Sequence, residues 1–278
     1  MSIDSDKNSK YGDSTLIIDE YGNTRPHRFL NHKFYEQACK VPQDQFPILE
    51  IFRTMEGEGS HIGTPRVLVR TAGCAIKCAW CDTLWSWSLK HATFVSLEQT
   101  LKQIEEHAAG YAKEISFTGG EVMHYPVQAM WLAERLKRKK YMLSLETSGL
   151  IFNDEVFSLF DFLSVDIKTP SSGVTITPEM IDMYKEMRQN YSGVQFKCVI
   201  LNSKDIEWVN DNLKDFYVNG HRTHKPLILT PGVQNTDKSK EKGILGQQLM
   251  DAMELVLVWN KQYNIRVIPQ IHQLLKFR

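Results

Sequence analysis

The chain lacks the features that mark membrane proteins, secreted proteins and proteins that bind nucleic acid through their overall charge. Lysine plus arginine equals aspartate plus glutamate, at 33 residues each, so no net field attracts the chain to nucleic acid or to a membrane surface. No apolar run approaches the ~20 residues that a membrane-spanning helix needs. The polar N-terminus also has no signal-peptide pattern. We therefore expect a cytoplasmic protein that binds neither nucleic acid nor membranes.

Cysteine is scarce as well, with five residues in a chain of 278. Three of the five, Cys74, Cys78 and Cys81, stand within eight residues, whereas Cys39 and Cys198 are far away in sequence. Such a bunched set is not the pattern of a disulfide framework. The cysteines therefore indicate a metal site rather than a small secreted fold held by disulfides.

A polar segment precedes the part of the chain that carries regular patterns. Residues 1–46 contain no helical or strand pattern long enough to rely on, and their opening MSIDSDKNSK is typical of disorder. The remaining length fits one large domain, and it shows no internal repeat. We therefore divide the chain into a partly disordered N-terminal extension, 1–46, and a single domain, 47–278.

The spacing of the three clustered cysteines favours an iron–sulfur cluster. Three thiolates at Cys74, Cys78 and Cys81 can hold three corners of a [4Fe–4S] cube, whose usual ligation is four cysteines. One iron would then stay open to bind and reduce a ligand. The alternatives are a structural zinc site completed by a histidine or a fourth cysteine, and cysteines that pack in the core without a metal. The nearest histidines, His61 and His91, do not have a usual zinc-finger spacing.

Strand patterns and helical patterns alternate along the domain. Apolar strand patterns cover residues 46–52, 67–70, 114–118, 141–145, 162–166, 194–200, 226–230 and 265–268. Helical patterns cover a segment that follows the capping box at Ser96, then residues 126–140, 178–189, 203–216 and 245–262. The alternation predicts an α/β fold with parallel strands and crossover helices, in the form of a partial or modified (β/α) barrel of the TIM type.

Polar clusters follow several of these strands. They are, in chain order, the three cysteines, Gly119-Gly120-Glu121, Glu146 with Ser148, and Lys168. Because chemistry in a (β/α) barrel sits at the carboxyl ends of the strands, we expect the clusters to meet in one site. Glycine lets the backbone pass close to a ligand, and the carboxylate, hydroxyl and ammonium groups suit a polar cofactor. Lys168 alone would equally fit a solvated surface residue.

Further motifs surround these clusters in a fixed order. They are Glu50-Ile51-Phe52, Met55-Glu56-Gly57-Glu58-Gly59, Gly63, Arg70, Cys81-Asp82-Thr83, Phe117-Thr118-Gly119-Gly120-Glu121, Glu146-Thr147-Ser148-Gly149, Lys168-Thr169-Pro170-Ser171-Ser172-Gly173 and Arg266-Val267-Ile268-Pro269-Gln270-Ile271-His272. The cysteine spacing resembles the cluster loop of the radical S-adenosylmethionine (SAM) superfamily. The whole series, over about residues 47–273, resembles the 7-carboxy-7-deazaguanine synthase family.

The resemblance implies a carbon–nitrogen lyase of queuosine and related deazaguanine biosynthesis. Such an enzyme converts 6-carboxy-5,6,7,8-tetrahydropterin to 7-carboxy-7-deazaguanine with loss of ammonia. The implied cofactors are a [4Fe–4S] cluster on Cys74, Cys78 and Cys81, SAM, and a Mg²⁺ ion at Thr83. The implied partners are the small-molecule pterin, an electron donor of the flavodoxin or ferredoxin type, and a second copy of the chain in a homodimer.

The resemblance also implies the residues of two binding sites. The pterin would be bound by Met55, Glu56, Gly57, Glu58, Arg70 and Thr118. SAM would be bound by Trp80, Cys81, Asp82, Gly120, Glu121, Ser148, Asp166, Ile167 and Lys168. A two-pronged bond from Arg70 to the substrate carboxylate is the expected contact, with a structural ion pair as the alternative. No residue is assigned as a general acid or base.

Three departures and two rival interpretations accompany the resemblance. Glu56 stands where the family usually has glutamine, and a carboxylate accepts hydrogen bonds but cannot donate them. Val122 replaces a proline, and Asp166-Ile167 replaces a serine-proline pair before Lys168. The rivals are another radical SAM enzyme, such as a glycyl-radical activase, and a zinc- or cluster-bearing binding module without enzymatic activity.

Overall fold

The computed structural model describes residues 17–18, 24–25, 40–217, 225–232 and 264–275. The predicted helix over 245–262 lies outside these residues, as does most of the 1–46 extension. Within the extension, two short strands, β1 (Ile17–Ile18) and β2 (Thr24–Arg25), pair in antiparallel orientation. The division at residue 46 stays a prediction. No helix in the described part of the chain is both long enough and apolar enough to cross a membrane.

A sheet of nine described strands forms the frame of the domain. The strands are β3 (Gln45–Met55), β4 (Pro65–Thr71), β5 (Thr93–Ser96), β6 (Glu114–Gly119), β7 (Met142–Thr147), β8 (Phe162–Asp166), β9 (Val194–Ile200), β10 (Leu227–Pro231) and β11 (Ile265–Val267). Their order is β11-β10-β9-β8-β7-β6-β4-β3-β5. The seven strands from β11 to β4 are parallel, whereas β3 and β5 are antiparallel to their neighbours.

Helices connect the parallel strands, as the sequence patterns predicted. They are α1 (Leu97–Ala108), α2 (Pro126–Arg138), α3 (Asp154–Phe157), α4 (Pro178–Asn190), α5 (Ser203–Asn212) and, after β11, α6 (Ile271–Leu275). Ser96 is confirmed as the N-cap of α1, because its hydroxyl accepts a hydrogen bond from the Gln99 amide at 3.2 Å. The helix predicted over 203–216 ends at Asn212, and a separate 3₁₀ turn, Lys214–Phe216, follows it.

The first strand of the sheet departs from the all-parallel pattern that the sequence suggested. β3 pairs with β4 in antiparallel register, with Ile51 opposite Val69. The short loop between the two strands, residues 56–64, explains this, because a parallel pair needs a crossover of a dozen or more residues. The Glu-Gly-Glu-Gly run of this loop lies on the inner face of the sheet.

The described strands form a mostly parallel sheet that is not closed, so the prediction of a partial barrel is confirmed. Contacts other than strand pairing connect the 56–64 loop to the C-terminal segment and to β9. The Ile271 amide donates to the Gly57 carbonyl at 2.8 Å, which ties the C-terminal segment to the 56–64 loop. Gly59 packs against β9, because a Cβ atom at this position would lie 2.2 Å from Nε2 of the Gln195 side chain. The loop therefore fills the interior next to β9.

Side chains alternate along the parallel strands between an apolar outer face and a polar inner face. On β4, Val67 and Val69 pack in the core, whereas Arg66 and Arg70 face the interior. The same alternation places Thr118, Glu146, Ser164, Asp166 and Lys197 on the inner face of β6 to β9. A TIM-type barrel interior is usually filled by branched apolar residues. Here the inner face is polar and leaves room for ligands.

Candidate active site

A cavity of about 570 Å³ opens at the carboxyl ends of the parallel strands. This volume lies within the range of cofactor and small-molecule sites. The cavity is lined by every site residue that the sequence predicted except Ile167. The Ile167 side chain is fully buried in the core because it continues the outward-facing set of β8 after Val165. Its side chain therefore does not line the cavity, and its assignment to the SAM site stays a prediction for the backbone alone.

The cysteine loop, residues 73–82, forms one wall of the cavity. Cys74, Cys78 and Cys81 all line it, and none of them forms a disulfide. In the part of the chain that the structure describes, no three His, Cys, Asp or Glu side chains converge as ligands of one metal ion. A [4Fe–4S] cube does not need a common ligand centre, because each thiolate binds a different iron.

Burial favours the protonated form of the Cys74 and Cys78 thiols. Burial raises the pKa of Cys74 to about 12, and it also raises the pKa of Cys78, where the Lys168 ammonium acts in the opposite direction. Thiolates are the form that binds iron, so cluster insertion must release protons. The soft sulfur donors and their enclosure at the cavity wall fit an iron–sulfur cluster.

A buried histidine that the sequence analysis missed supports the cysteine loop. The Ala75 amide, next to Cys74, donates to His124 Nε2 at 3.1 Å. Burial lowers the pKa of His124 to about 3, so the ring is neutral and Nε2 is an acceptor. His124 follows Glu121 by three residues, and only the fold brings it to the loop.

The two glycines of the Gly-Gly-Glu motif make room for the backbone of the cysteine loop. A Cβ atom at Gly120 would lie 2.0 Å from the Gly73 carbonyl oxygen. At Gly119, where φ is +122°, a Cβ atom would lie 2.3 Å from the Thr71 carbonyl oxygen. The sequence analysis expected close approach to a ligand. The structure supplies a different reason, because the close neighbour is protein backbone.

Glu121 is buried, with 1% of its surface exposed, and its carboxylate is fully hydrogen-bonded. It accepts from the Ser148 hydroxyl at 2.6 Å, the Thr147 hydroxyl at 2.7 Å, the Ser148 amide at 3.0 Å and the Met123 amide at 3.2 Å. A carboxylate has about four lone-pair sites. A ligand ammonium at Glu121 would therefore replace one of these donors, and the Ser148 hydroxyl can turn away by rotation.

Lys168 is a buried, charged group and not the solvated lysine that the sequence left open. Its Nζ lies 3.0 Å from Asp166 Oδ2 and 5.2 Å from the centre of the Trp80 ring. Burial by itself would lower the pKa of Lys168, but the charge of Asp166 more than offsets this and raises the pKa above its usual value. Lys168 therefore presents a permanent positive charge to the cavity beside the cysteine loop.

The opposite wall is built around Arg66, which the sequence analysis did not select. Arg66 is 1% exposed, contacts Glu56 Oε2 through Nη1 and lies 2.6 Å from Glu114 Oε1 through Nη2. Nη1 also lies 3.8 Å from Glu146 Oε1. The other oxygen of Glu146 accepts from the Thr118 hydroxyl at 2.8 Å. The single positive charge of Arg66 thus faces three carboxyl groups. Protonation of one of these carboxyl groups is favoured, because it lowers the excess of negative charge.

The proton is expected on Glu56. Burial, followed by the charge of Glu146, raises the pKa of Glu56 to about 8, although Arg66 acts in the opposite direction. Its Oε1 accepts from the Glu58 amide at 3.0 Å, so the side chain also shapes the 56–64 loop. A neutral carboxyl group can donate a hydrogen bond. The replacement of glutamine by glutamate at this position therefore retains a donor near neutral pH.

Arg70 and Thr83 both line the cavity, and each has a protein partner. Arg70 donates from Nε to Glu50 Oε1 at 2.7 Å, so the structural ion pair expected as the alternative is present. The ion pair leaves the other guanidinium N–H groups for a substrate carboxylate. The Thr83 hydroxyl lies 3.6 Å from Cys81 Sγ and accepts from the Ser86 hydroxyl at 3.5 Å.

The C-terminal segment contributes side chains that close the cavity. Gln270 donates to Glu58 Oε2 at 2.9 Å, and His272 Nε2 lies 3.6 Å from Asp82 Oδ2. Burial would raise the pKa of Asp82, but the hydrogen bond and charge of His272 hold it below its usual value. Asp82 therefore links the cysteine loop to the segment after β11. The assignment of Asp82 to the SAM site stays a prediction.

Comparisons with known proteins agree with this site. A sequence model described as the radical SAM superfamily matches residues 68–199. A 7-carboxy-7-deazaguanine synthase from Bacillus subtilis (strain 168) is 28% identical over 239 residues, covering 82% of this chain and 95% of that protein. The synthase of the same name from Thermoplasma acidophilum is 28% identical over 229 residues, with 82% and 96% covered.

Two further comparisons concern a shorter segment and the fold. A 7-carboxy-7-deazaguanine synthase from Flavobacterium psychrophilum is 37% identical over 108 residues, covering 38% of this chain and 48% of that protein. The crystal structure of QueE from Escherichia coli has a TM-score of 0.56 at 20% identity, covering 88% of this chain and 99% of that one. The structural likeness shows the shared fold. Together with the cysteine loop and the strand-end motifs, the matches show that the chain contains a radical SAM segment and is similar over most of its length to 7-carboxy-7-deazaguanine synthases.

Proposed function

We propose that the protein is a 7-carboxy-7-deazaguanine synthase that converts 6-carboxy-5,6,7,8-tetrahydropterin to 7-carboxy-7-deazaguanine and ammonia. The single observation that carries this proposal is the composition of the cavity. The cysteine loop with Glu121, Ser148 and Lys168 forms one wall, and the 56–64 loop with Arg70 and the other strand ends forms the facing wall. The cavity can thus hold a cofactor and a polar bicyclic substrate side by side.

Cys74, Cys78 and Cys81 would hold a [4Fe–4S] cluster, and SAM would bind beside it. When bound, and given one electron from an external donor, the cluster and SAM would supply the radical chemistry that activates C6 of the pterin. The protein's task is to orient C6 and to exclude water. On the cofactor side, Lys168 would pair with the SAM carboxylate, and Glu121 would accept from its ammonium group.

The facing wall would orient the pterin through charged and neutral polar groups. Arg70 would pair with the substrate carboxylate through the N–H groups that Glu50 does not use. Glu58 would accept from ring N–H and amino groups, and Glu56, as a neutral acid, can donate as well as accept. Thr118 would contact the substrate at the end of β6. Gly57 lies against His272, where a Cβ atom would be 2.3 Å from Nδ1, so the loop stays close to the C-terminal segment.

Further partners follow from the same proposal. The Thr83 hydroxyl, at the cavity wall, would bind a Mg²⁺ ion that also meets substrate oxygens and water, in keeping with the preference of magnesium for oxygen ligands. A flavodoxin or ferredoxin would supply the electron, and the protein would act in the cytoplasm as a homodimer. These assignments rest on the family resemblance, and size-exclusion chromatography with light scattering tests the dimer.

Turnover of the reconstituted protein tests the proposed function. Anaerobic protein is incubated with SAM, dithionite, Mg²⁺ and 6-carboxy-5,6,7,8-tetrahydropterin, and the nucleoside and deazaguanine products are followed by mass spectrometry. We expect 5′-deoxyadenosine and 7-carboxy-7-deazaguanine with the wild-type protein and neither with Cys78→Ala. The control is Cys198→Ala, a buried cysteine on β9 away from the cysteine loop. Formation of 5′-deoxyadenosine only with a different substrate would overturn the proposal.

The two rivals predict different results in the same experiments. A glycyl-radical activase would cleave SAM productively only with a partner protein, and it has no need for Glu58 and Arg70 at the same cavity. A zinc module would contain zinc after purification and no iron–sulfur absorbance. Elemental analysis and electron paramagnetic resonance of the anaerobic protein separate a zinc site from a [4Fe–4S] cluster.

A further inference from the structure

Lys197 is a buried lysine in the middle of β9, between Phe196 and Cys198. It is 5% exposed, and its neighbours across the sheet are Asp166 on β8 and Ile228 on β10. The Lys197 carbonyl also accepts from the Ile167 amide at 2.8 Å. The backbone of Lys197 is therefore fixed from both sides, and burial of its ammonium group requires compensating negative charge.

The compensating charge comes mainly from Glu58, on the 56–64 loop. Lys197 Nζ forms an ion pair and a hydrogen bond with Glu58 Oε1, and it lies 3.9 Å from Asp166 Oδ2. The other oxygen of Glu58 accepts from Gln270 at 2.9 Å. A strand residue and a C-terminal residue thus hold both oxygens of a carboxylate whose own backbone lies in a loop. Loops need such support to place a side chain accurately.

The electrostatics of the pair agree with its geometry. Burial alone would raise the pKa of Glu58, but the Lys197 charge and hydrogen bond hold it below its usual value. Burial alone would lower the pKa of Lys197, but the charges of Glu58 and Asp166 raise it. Both groups are therefore ionised at neutral pH. Removing Lys197 would leave the buried Glu58 carboxylate without its cation.

We propose that Lys197 is a positioning residue that holds the Glu58 carboxylate in the orientation required to bind the pterin. This inference rests on the proposed function, because Glu58 is assigned there to the substrate. Lys197 acts through Glu58 and not by direct contact with substrate. Asp166 keeps Lys168 as its partner at 3.0 Å, so the SAM wall should tolerate the loss of Lys197 better than the substrate wall does.

The test is a double-mutant cycle with Lys197→Met and Glu58→Gln in the reconstituted holoenzyme. Lys197→Met should raise the KM for the pterin by about tenfold or more, as expected for loss of a charge-assisted hydrogen bond. It should change the KM for SAM and the iron content little. In the Glu58→Gln background the same substitution should have almost no further effect, because the group it positions is already altered. Lys137→Met, which breaks a surface ion pair with Asp161, is the matched control.

Each result has a defined meaning. If the wild-type protein turns over the pterin but Lys197→Met keeps the wild-type KM, the inference is wrong and the proposed function stands. If Lys197→Met weakens pterin binding equally in both backgrounds, Lys197 contacts the substrate directly and the inference is also wrong. If the wild-type protein does not turn over the pterin, the proposed function itself fails. Should Lys197→Met not take up iron, Lys197→Gln, which keeps an N–H donor without the charge, replaces it in the same cycle.

Discussion

Replacing Glu56 by glutamine tests whether this buried carboxyl group holds a proton near neutral pH. Burial and the charge of Glu146 raise the pKa of Glu56 from its usual 4.5 to about 8. In the unfolded chain the same group titrates near its usual value. Between these two values the folded protein therefore binds a proton that the unfolded chain has lost, and glutamine cannot reproduce that titration.

The sign and size of the effect follow from proton linkage. A group whose pKa is raised on folding contributes stability that is fully present below its unfolded pKa and is lost as the pH rises through the folded pKa. One proton changes the free energy of unfolding by at most about 1.4 kcal/mol per pH unit. From pH 6 to pH 8, the wild-type protein should therefore lose about 2 kcal/mol of stability relative to Glu56→Gln.

At pH 6 the free energies of unfolding of the wild-type protein and Glu56→Gln should differ by only about 1 kcal/mol or less, because a neutral carboxyl group and an amide are similar in size. Arg66 keeps Glu114 at 2.6 Å in both proteins. Because this ion pair with the buried guanidinium remains, the substitution should cost little free energy of unfolding at Arg66. The pH dependence, and not the offset at one pH, is thus the diagnostic quantity.

Urea unfolding at pH 6, 7 and 8, on anaerobic samples of equal iron content, measures the difference. The control is Glu105→Gln, whose wild-type carboxylate pairs with Lys139 in a more exposed position. A stability difference that does not change with pH would refute the reasoning, because it would show that Glu56 is ionised throughout. The donor role assigned to Glu56 in pterin binding would then be withdrawn.

Three further predictions concern the walls of the cavity. Arg66→Met should destabilise the protein by about 3–5 kcal/mol in urea unfolding, because it leaves buried carboxyl groups without their cation; a loss below about 1 kcal/mol would contradict the contacts around Arg66. Gly120→Ala should prevent normal iron uptake on reconstitution, since its Cβ would lie 2.0 Å from the Gly73 oxygen, and full iron content would contradict this. Thr83→Val should abolish stimulation of pterin turnover by Mg²⁺ while SAM cleavage persists; unchanged stimulation would remove Thr83 from the magnesium site.

The prediction of the fold and of the position of the motifs depended on information that is local in sequence, whereas the roles of most site residues came from the family resemblance. The alternation of strand and helix patterns, with the capping box at Ser96, was enough to predict crossover helices and a partial barrel. The spacing of Cys74, Cys78 and Cys81 and the Gly-Gly-Glu motif lie within short segments. Parallel strands then bring their ends together, so these motifs could be placed at one edge of the sheet.

The orientation of individual side chains and strands was harder to predict from the sequence. The antiparallel pairing of β3 depends on the short 56–64 loop, which the sequence analysis did not weigh against the parallel pattern. Ile167 was assigned to SAM together with its neighbours, although the alternation along β8 turns it into the core. Arg66 shares the inner face with Arg70, four residues away on β4, and that period of two was a usable signal.

By itself, the sequence determined which chemical groups this protein has and at which strand ends they stand, because strand period, helix period and cysteine spacing are short-range properties. Only the tertiary structure decided which charges meet. Lys197 and Glu58 are 139 positions apart, and Arg66 and Glu114 are 48 apart. The ionisation of Glu56 and the positioning of Glu58 depend on such neighbours and on burial, since the cost of a buried charge is set by what surrounds it in space.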